Sequence, residues 1–116
     1  IMKSSFNIRS SHILLDCYGS CENRLQNLEK MLCKAAEIGG ATVLDVKLHN
    51  FEGGGITGVV FLAESHISVH TWPEHNYMAF DIFMCGDCQP ELSADYIEET
   101  LQPKNVNRTL HIRGTQ

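Results

Sequence analysis

Between Ala63 and Glu74 the chain reads Ala-Glu-Ser-His-Ile-Ser-Val-His-Thr-Trp-Pro-Glu, which crowds a reactive hydroxyl, two imidazoles, an indole and two carboxylates into one segment. Cys85 and Cys88 follow a few residues later. Two familiar chemistries could use these groups. His66-x3-His70 with Cys85-x2-Cys88 has the ligand types of a zinc site. A His-x3-His pair chelates from a helix, where the rings sit one turn apart. Ile67-Ser68-Val69 is short and rich in β-branched residues, which favours a strand. A strand separates the two rings by about 13 Å, at about 3.3 Å per residue, so no metal is expected. The second chemistry is a hydrolase triad, but Ser65 lacks the flanking glycines of a nucleophile elbow.

The elements that must position these groups follow from periodicity. Residues 11–18 read as a buried strand, and residues 22–38 as an amphipathic helix with Leu25, Leu28, Met31, Leu32, Ala35 and Ile38 on one face. Gly39-Gly40 ends that helix. Residues 41–51 alternate Leu44, Val46 and Leu48 with Asp45, Lys47 and His49, as a strand does. After the loop Glu52–Gly55 come a strand from Ile56 to Leu62, with Gly58 inside it, and a short strand from Ser65 to about Thr71. Residues 73–76 turn the chain into a strand from Tyr77 to Met84. Pro90 opens a helix with Ala94, Ile97 and Leu101 on its apolar face, Pro103 stops it, and residues 105–112 form a last strand.

Alternation puts Ile67 and Val69 toward the core and His66, Ser68 and His70 on the other side. Met78, Phe80, Ile82 and Met84 form the apolar row of the next strand, with Tyr77, Ala79, Asp81, Phe83 and Cys85 opposite. His70 and Cys85 therefore share the non-core side of adjacent strands. The order β-α-β-β-β-β-α-β favours an α+β fold, an antiparallel sheet with helices on one face. Each helix leads into a strand, a faint internal likeness that no shared motif supports.

With 116 residues the chain suits a single domain, 1–116. A core of that size leaves little room for a deep pocket, so help from a second copy is plausible. The net charge is −5 and no Lys/Arg cluster occurs, which argues against a nucleic-acid partner. The longest apolar run, Val59–Ala63, is far short of the ~20 residues that span a bilayer. Five cysteines, an odd number, without a secretory signal read as reduced thiols in a cytoplasmic protein. Ile1 ahead of Met2 reads as a remnant outside the native start.

The run Glu64-Ser65-His66-Ile67-Ser68-Val69-His70-Thr71-Trp72-Pro73-Glu74 resembles the signature of the prokaryotic S-adenosylmethionine decarboxylases. The likeness extends through Phe51, the glycine loop, Thr57-Gly58-Val59-Val60, Tyr77, Asp81, Phe83 and Cys85-Gly86, and so covers nearly the whole chain. It implies a proenzyme that cuts itself between Glu64 and Ser65, giving a β chain of 2–64 and an α chain of 65–116. Ser65 Oγ would attack the Glu64 carbonyl, an N→O acyl shift would give an ester, and elimination would leave residue 65 as a pyruvoyl cofactor. That group would form a Schiff base with the substrate amine and accept electrons as CO2 leaves.

The resemblance also assigns roles. His70 would remove the α-proton of residue 65, Thr57 would support processing, and Cys85 would donate the proton after decarboxylation. Phe51 would stack on adenine, Glu74 would bind the ribose hydroxyls, and Ile67 would line the pocket through its backbone. Core packing is the rival for Phe51. Trp72 and Pro73 would hold the turn, and His66 has no sharp role. Cys17, Cys21, Cys33 and Cys88 read as structural. Two protomers would pair in a four-layer αββα arrangement, or a higher assembly, with sites at the interface. The product would be the aminopropyl donor for spermidine. A pyruvoyl decarboxylase acting on ornithine or arginine is the close alternative, and a zinc-binding module the distant one.

Overall fold

The computed structural model describes residues 7–115. Ile1 and Met2, and with them the start of the expected 2–64 chain, lie outside the described residues. Nine elements follow in order: β1 (Asn7–Tyr18), α1 (Leu25–Ile38), β2 (Val43–Asn50), β3 (Ile56–Leu62), β4 (Ser65–Trp72), a 3-10 turn (Pro73–His75), β5 (Tyr77–Cys85), α2 (Pro90–Leu101) and β6 (Asn105–Thr115). The strands form one sheet in the order β2-β3-β4-β5-β1-β6. Every neighbouring pair is antiparallel. Both helices cover one face, so the α+β expectation holds.

The period-2 pattern explains which side is covered. Ile13 and Leu15 of β1, Val60 of β3, Ile67 and Val69 of β4, and Met78, Phe80, Ile82 and Met84 of β5 are all buried under the helices. The helices answer with Leu28, Met31, Leu32 and Ala35 from α1 and Ala94 and Ile97 from α2. Ser93 Oγ donates to the Ala35 carbonyl at 2.6 Å, which satisfies the one hydroxyl buried between the two helices. Gly58 lies opposite Leu48 of the paired β2, whose side chain fills the space a Cβ would take. A Cβ there would stand 2.1 Å from Leu48 Cδ2.

Some boundaries differ from the sequence reading. Helix α1 starts at Leu25 rather than residue 22. The Glu22 carboxylate accepts the Arg24 N–H at 3.0 Å, a local turn that occupies the backbone before the helix begins. Leu25 and Ile38, at the two ends, are 37% and 36% exposed and fall outside the buried stripe. At the C-terminal end Gly40 adopts φ +89°. Ala41 N–H then bonds Ala36 O and Gly40 N–H bonds Glu37 O, a Schellman cap. Strands β1 and β6 run longer than 11–18 and 105–112 because they pair with each other out to Asn7 and Thr115, across a bulge.

The opposite face of the sheet is covered by no described element. It carries His66, Ser68 and His70 of β4, Asp81, Phe83 and Cys85 of β5, and His12, Leu14, Asp16 and Tyr18 of β1 in cross-strand rows. Leu14, Tyr18, Phe61 and Trp72 are exposed on it. A face with that apolar content has the character of a protein–protein surface.

Candidate active site

A two-residue hairpin, Ala63-Glu64, joins β3 to β4, with Leu62 opposite Ser65. Glu64 sits at φ +59°. Left-handed backbone costs a residue with a Cβ about 1 kcal/mol or more. The peptide bond between Glu64 and Ser65 thus follows a strained residue. The pairing of β4 with β5 brings Cys85 to that bond. Its backbone N–H donates to Ser65 Oγ at 3.2 Å, and its Sγ lies 3.1 Å from the Glu64 carbonyl oxygen. One residue therefore holds the hydroxyl and offers a proton donor to the carbonyl beside it.

Phe83, two residues before Cys85, is packed by polar rings on the open face. The His66 ring stacks on it at 5.5 Å, His12 meets it edge-on at 5.8 Å, and the Arg113 guanidinium lies 5.5 Å from its centroid. His12 Nε2 is 3.0 Å from Asp81 Oδ1, and Ser68 Oγ donates to Asp81 Oδ2 at 3.1 Å. Burial, followed by the nearby His12, holds the His66 imidazole below its usual range, with Asp81 opposing. His66 is thus a neutral stacking ring.

A second cluster occupies the other end of β4. Thr57 Oγ1 and His70 Nδ1 are 2.9 Å apart, on directly paired residues of β3 and β4. They border a cavity of about 310 Å³ whose wall also includes Phe51, Trp72 and Glu74. Phe51 is 51% exposed, which removes core packing as its role. Glu74 sits in the 3-10 turn that Pro73 starts. Trp72 is braced from behind: its ring stacks on Tyr77 at 5.0 Å, and Tyr77 stacks on Tyr18 at 5.1 Å. Tyr77 donates its hydroxyl proton to Asp16 at 2.8 Å. Burial and that bond push its pKa up to about 12.

The structure brings Ser65 to Cys85, and Thr57, Phe51 and Glu74 to His70, but it keeps the two groups apart. Ser65 and His70 are five residues apart on one strand, about 16 Å at the usual rise. The Ile67 side chain lies fully in the core, away from the cavity. The left-handed Glu64 and the rings around Phe83 were not singled out in the sequence. Strict alternation along β1 is the signal that could have put His12 on the open face.

Known proteins are similar to this chain in sequence and in fold. The family described as S-adenosylmethionine decarboxylase matches residues 11–114. The chain belongs to the S-adenosylmethionine decarboxylase family. It is 46% identical over 100 residues to an S-adenosylmethionine decarboxylase proenzyme of Methanococcus maripaludis, covering 82% of this chain and 81% of that one. It is 40% identical over 112 residues to a proenzyme of the same name from Thermoanaerobacter, covering 93% and 90%. In structure it is similar to the adenosylmethionine decarboxylase of Aquifex aeolicus, with a TM-score of 0.87, 35% identity, and 95% and 94% of the two chains covered.

Proposed function

We propose that this chain is the proenzyme of a pyruvoyl-dependent S-adenosylmethionine decarboxylase, cut between Glu64 and Ser65. The observation that carries this reading is the strained Glu64, whose carbonyl faces the Cys85 thiol while the Cys85 N–H holds the Ser65 hydroxyl. Ser65 Oγ adds to the Glu64 carbonyl carbon, the C–N bond breaks, and the amide becomes an ester with a free amine on residue 65. Loss of the Cα proton expels the Glu64 carboxylate from Cβ. The enamine that remains takes up water and releases ammonia, which leaves pyruvoyl. The residues present fit that group: its carbonyl would lie at the end of β4 beside Cys85.

The pyruvoyl group supplies a carbonyl that captures the substrate amine and an adjacent amide that takes up the electron pair as CO2 departs. The chain does the rest. Cys85 Sγ holds a proton beside residue 65 and would donate it to the substrate carbon that CO2 leaves. Phe51 and Glu74, both lining the cavity, suit a flat base and a pair of ribose hydroxyls. These two argue against ornithine or arginine, which carry neither group. Cys85 works only as a free thiol, which suits a reducing cytoplasm.

His70 serves as the base for residue 65 only if a second copy supplies it, because its own Ser65 is too far away. A two-fold axis parallel to the open face and perpendicular to β4, level with the midpoint between Ser65 and His70, would lay the partner's His70 over this chain's Ser65 and Cys85. Facing sheets pack about 10 Å apart, a gap that side chains from both can bridge. The uncovered apolar face supports such a homodimer, with helix, sheet, sheet and helix as its layers. The test is intact mass together with CO2 release. Wild type should give fragments divided at Glu64-Ser65 and act on S-adenosylmethionine, and Ser65→Ala should stay whole and inert. Cleavage of Ser65→Ala, or release from ornithine alone, would sink the reading.

A further inference from the structure

We infer that Asn23 is a positioning residue for substrate binding, which locks the glycine loop carrying Phe51 onto the strand carrying His70 and leading to Glu74. The inference rests on the cavity being the S-adenosylmethionine site. Asn23 lies in the irregular segment between β1 and α1, far in sequence from Phe51, Thr57, His70 and Glu74. Its side chain closes a hydrogen-bonded relay. Thr71 Oγ1 lies 2.7 Å from Asn23 Oδ1, Ile56 N–H donates to Thr71 Oγ1 at 2.9 Å, and Asn23 Nδ2 donates to the Gly54 carbonyl.

The direction of each bond is fixed by chemistry. The Gly54 carbonyl can only accept, so the amide NH2 must face it. Thr71 Oγ1 already accepts from Ile56, so its single proton goes to Asn23 Oδ1. Thr71 is only 4% exposed, and a relay in such surroundings is costly to leave half-made.

The loop needs this anchor. Phe51 N–H bonds Gly55 O at 2.7 Å and Gly54 N–H bonds Phe51 O at 3.0 Å, so the loop has its own shape. Gly53 and Gly54, at φ +99° and +106°, allow that shape. Internal bonds do not fix where the loop sits. The Phe51 ring is too exposed for the core to hold it, and its recorded aromatic neighbour is His49 at 4.4 Å. Beyond the Asn50–Ile56 pairing at the base of the loop, the ties to the sheet are Gly54 through Asn23 and Ile56 through Thr71. Asn23 thereby sets the gap between Phe51 and Glu74. Ser65 lies at the far end of β4, and Cys85 beside it at the end of β5.

The consequence is a split between binding and chemistry. Asn23→Ala should raise KM for S-adenosylmethionine about tenfold, with kcat and the rate of self-cleavage within about twofold of wild type. Asn23→Asp keeps the acceptor for Thr71 but turns a second acceptor toward the Gly54 carbonyl, so it should not rescue. Thr71→Ser should bind as wild type, and Thr71→Val should match Asn23→Ala. The Asn23→Ala/Thr71→Val pair should be no worse than either alone. Unchanged KM in a folded, cleaved Asn23→Ala enzyme, rescue by Asp, or a fall in kcat alone would overturn the inference. If Asn23→Ala does not fold, Asn23→Asp and Thr71→Val decide the same question. A wild-type enzyme that cleaves itself yet releases no CO2 from S-adenosylmethionine would instead refute the substrate, a separate result.

Discussion

Two inactive variants should restore activity when they are made together. His70→Ala removes the proposed base, and Cys85→Ala removes the thiol beside Glu64. In the proposed homodimer each variant then lacks one group in both sites. Within a chain these groups cannot cooperate, because Ser65 and His70 are five residues apart on β4, about 16 Å. General-base work requires about 3 Å. In a mixed dimer one site combines an intact Ser65 and Cys85 from the His70→Ala chain with the partner's His70, and the other site has lost both. Random pairing makes half the dimers mixed, and half of their sites complete, so co-expression should recover about one quarter of wild-type activity. Intact mass adds a sharper readout. Only the His70→Ala chain should be cut, and only when its partner is present. Activity no higher than the sum of the two parents, with neither chain cleaved, would refute the shared site.

Thr57→Val should slow self-cleavage about tenfold by removing the hydroxyl beside His70, and Thr57→Ser should restore it, as gel densitometry over time can show. Gly58→Ala should cost about 1–3 kcal/mol, since its Cβ would stand 2.1 Å from Leu48 Cδ2; a lower urea midpoint reads this. Burial, reinforced by Glu98 and Asp16, pushes the Cys17 thiol from 9.0 up to about 12. Below pH 9.0 that thiol is protonated whether the chain is folded or not. From there to about pH 12 the unfolded thiol ionises while the folded one does not, so stability should fall across this window. Urea titrations should show a shallower decline in Cys17→Ala.

Much of this was written in the residue pattern. Alternation in β4 and β5 put His70 and Cys85 on the uncovered side, and glycine and proline marked the ends of both helices. Five residues of strand already separate Ser65 from His70, but the expected role of His70 was drawn without that distance. Other features were hidden for physical reasons. Glu64 takes a left-handed conformation that sequence usually signals with glycine or asparagine, and here neighbouring strands impose it. The early start expected for α1 came from apolar spacing, which cannot see Glu22 capturing the backbone ahead of Leu25. Asn23 sits in an irregular segment without periodicity. Its role depends on a loop that folds back from residues 51–55, a tertiary fact that no local pattern encodes.

Residue 65 is proposed to become the cofactor for S-adenosylmethionine decarboxylation. Incubation with S-adenosylmethionine and cyanoborohydride, followed by intact-mass analysis, tests this directly. Two fragments are expected, with the decarboxylated substrate attached to the new N-terminus of the 65–116 fragment and nothing added to the other. An uncut chain that still releases CO2, or a cut chain with an ordinary serine at position 65, would contradict it.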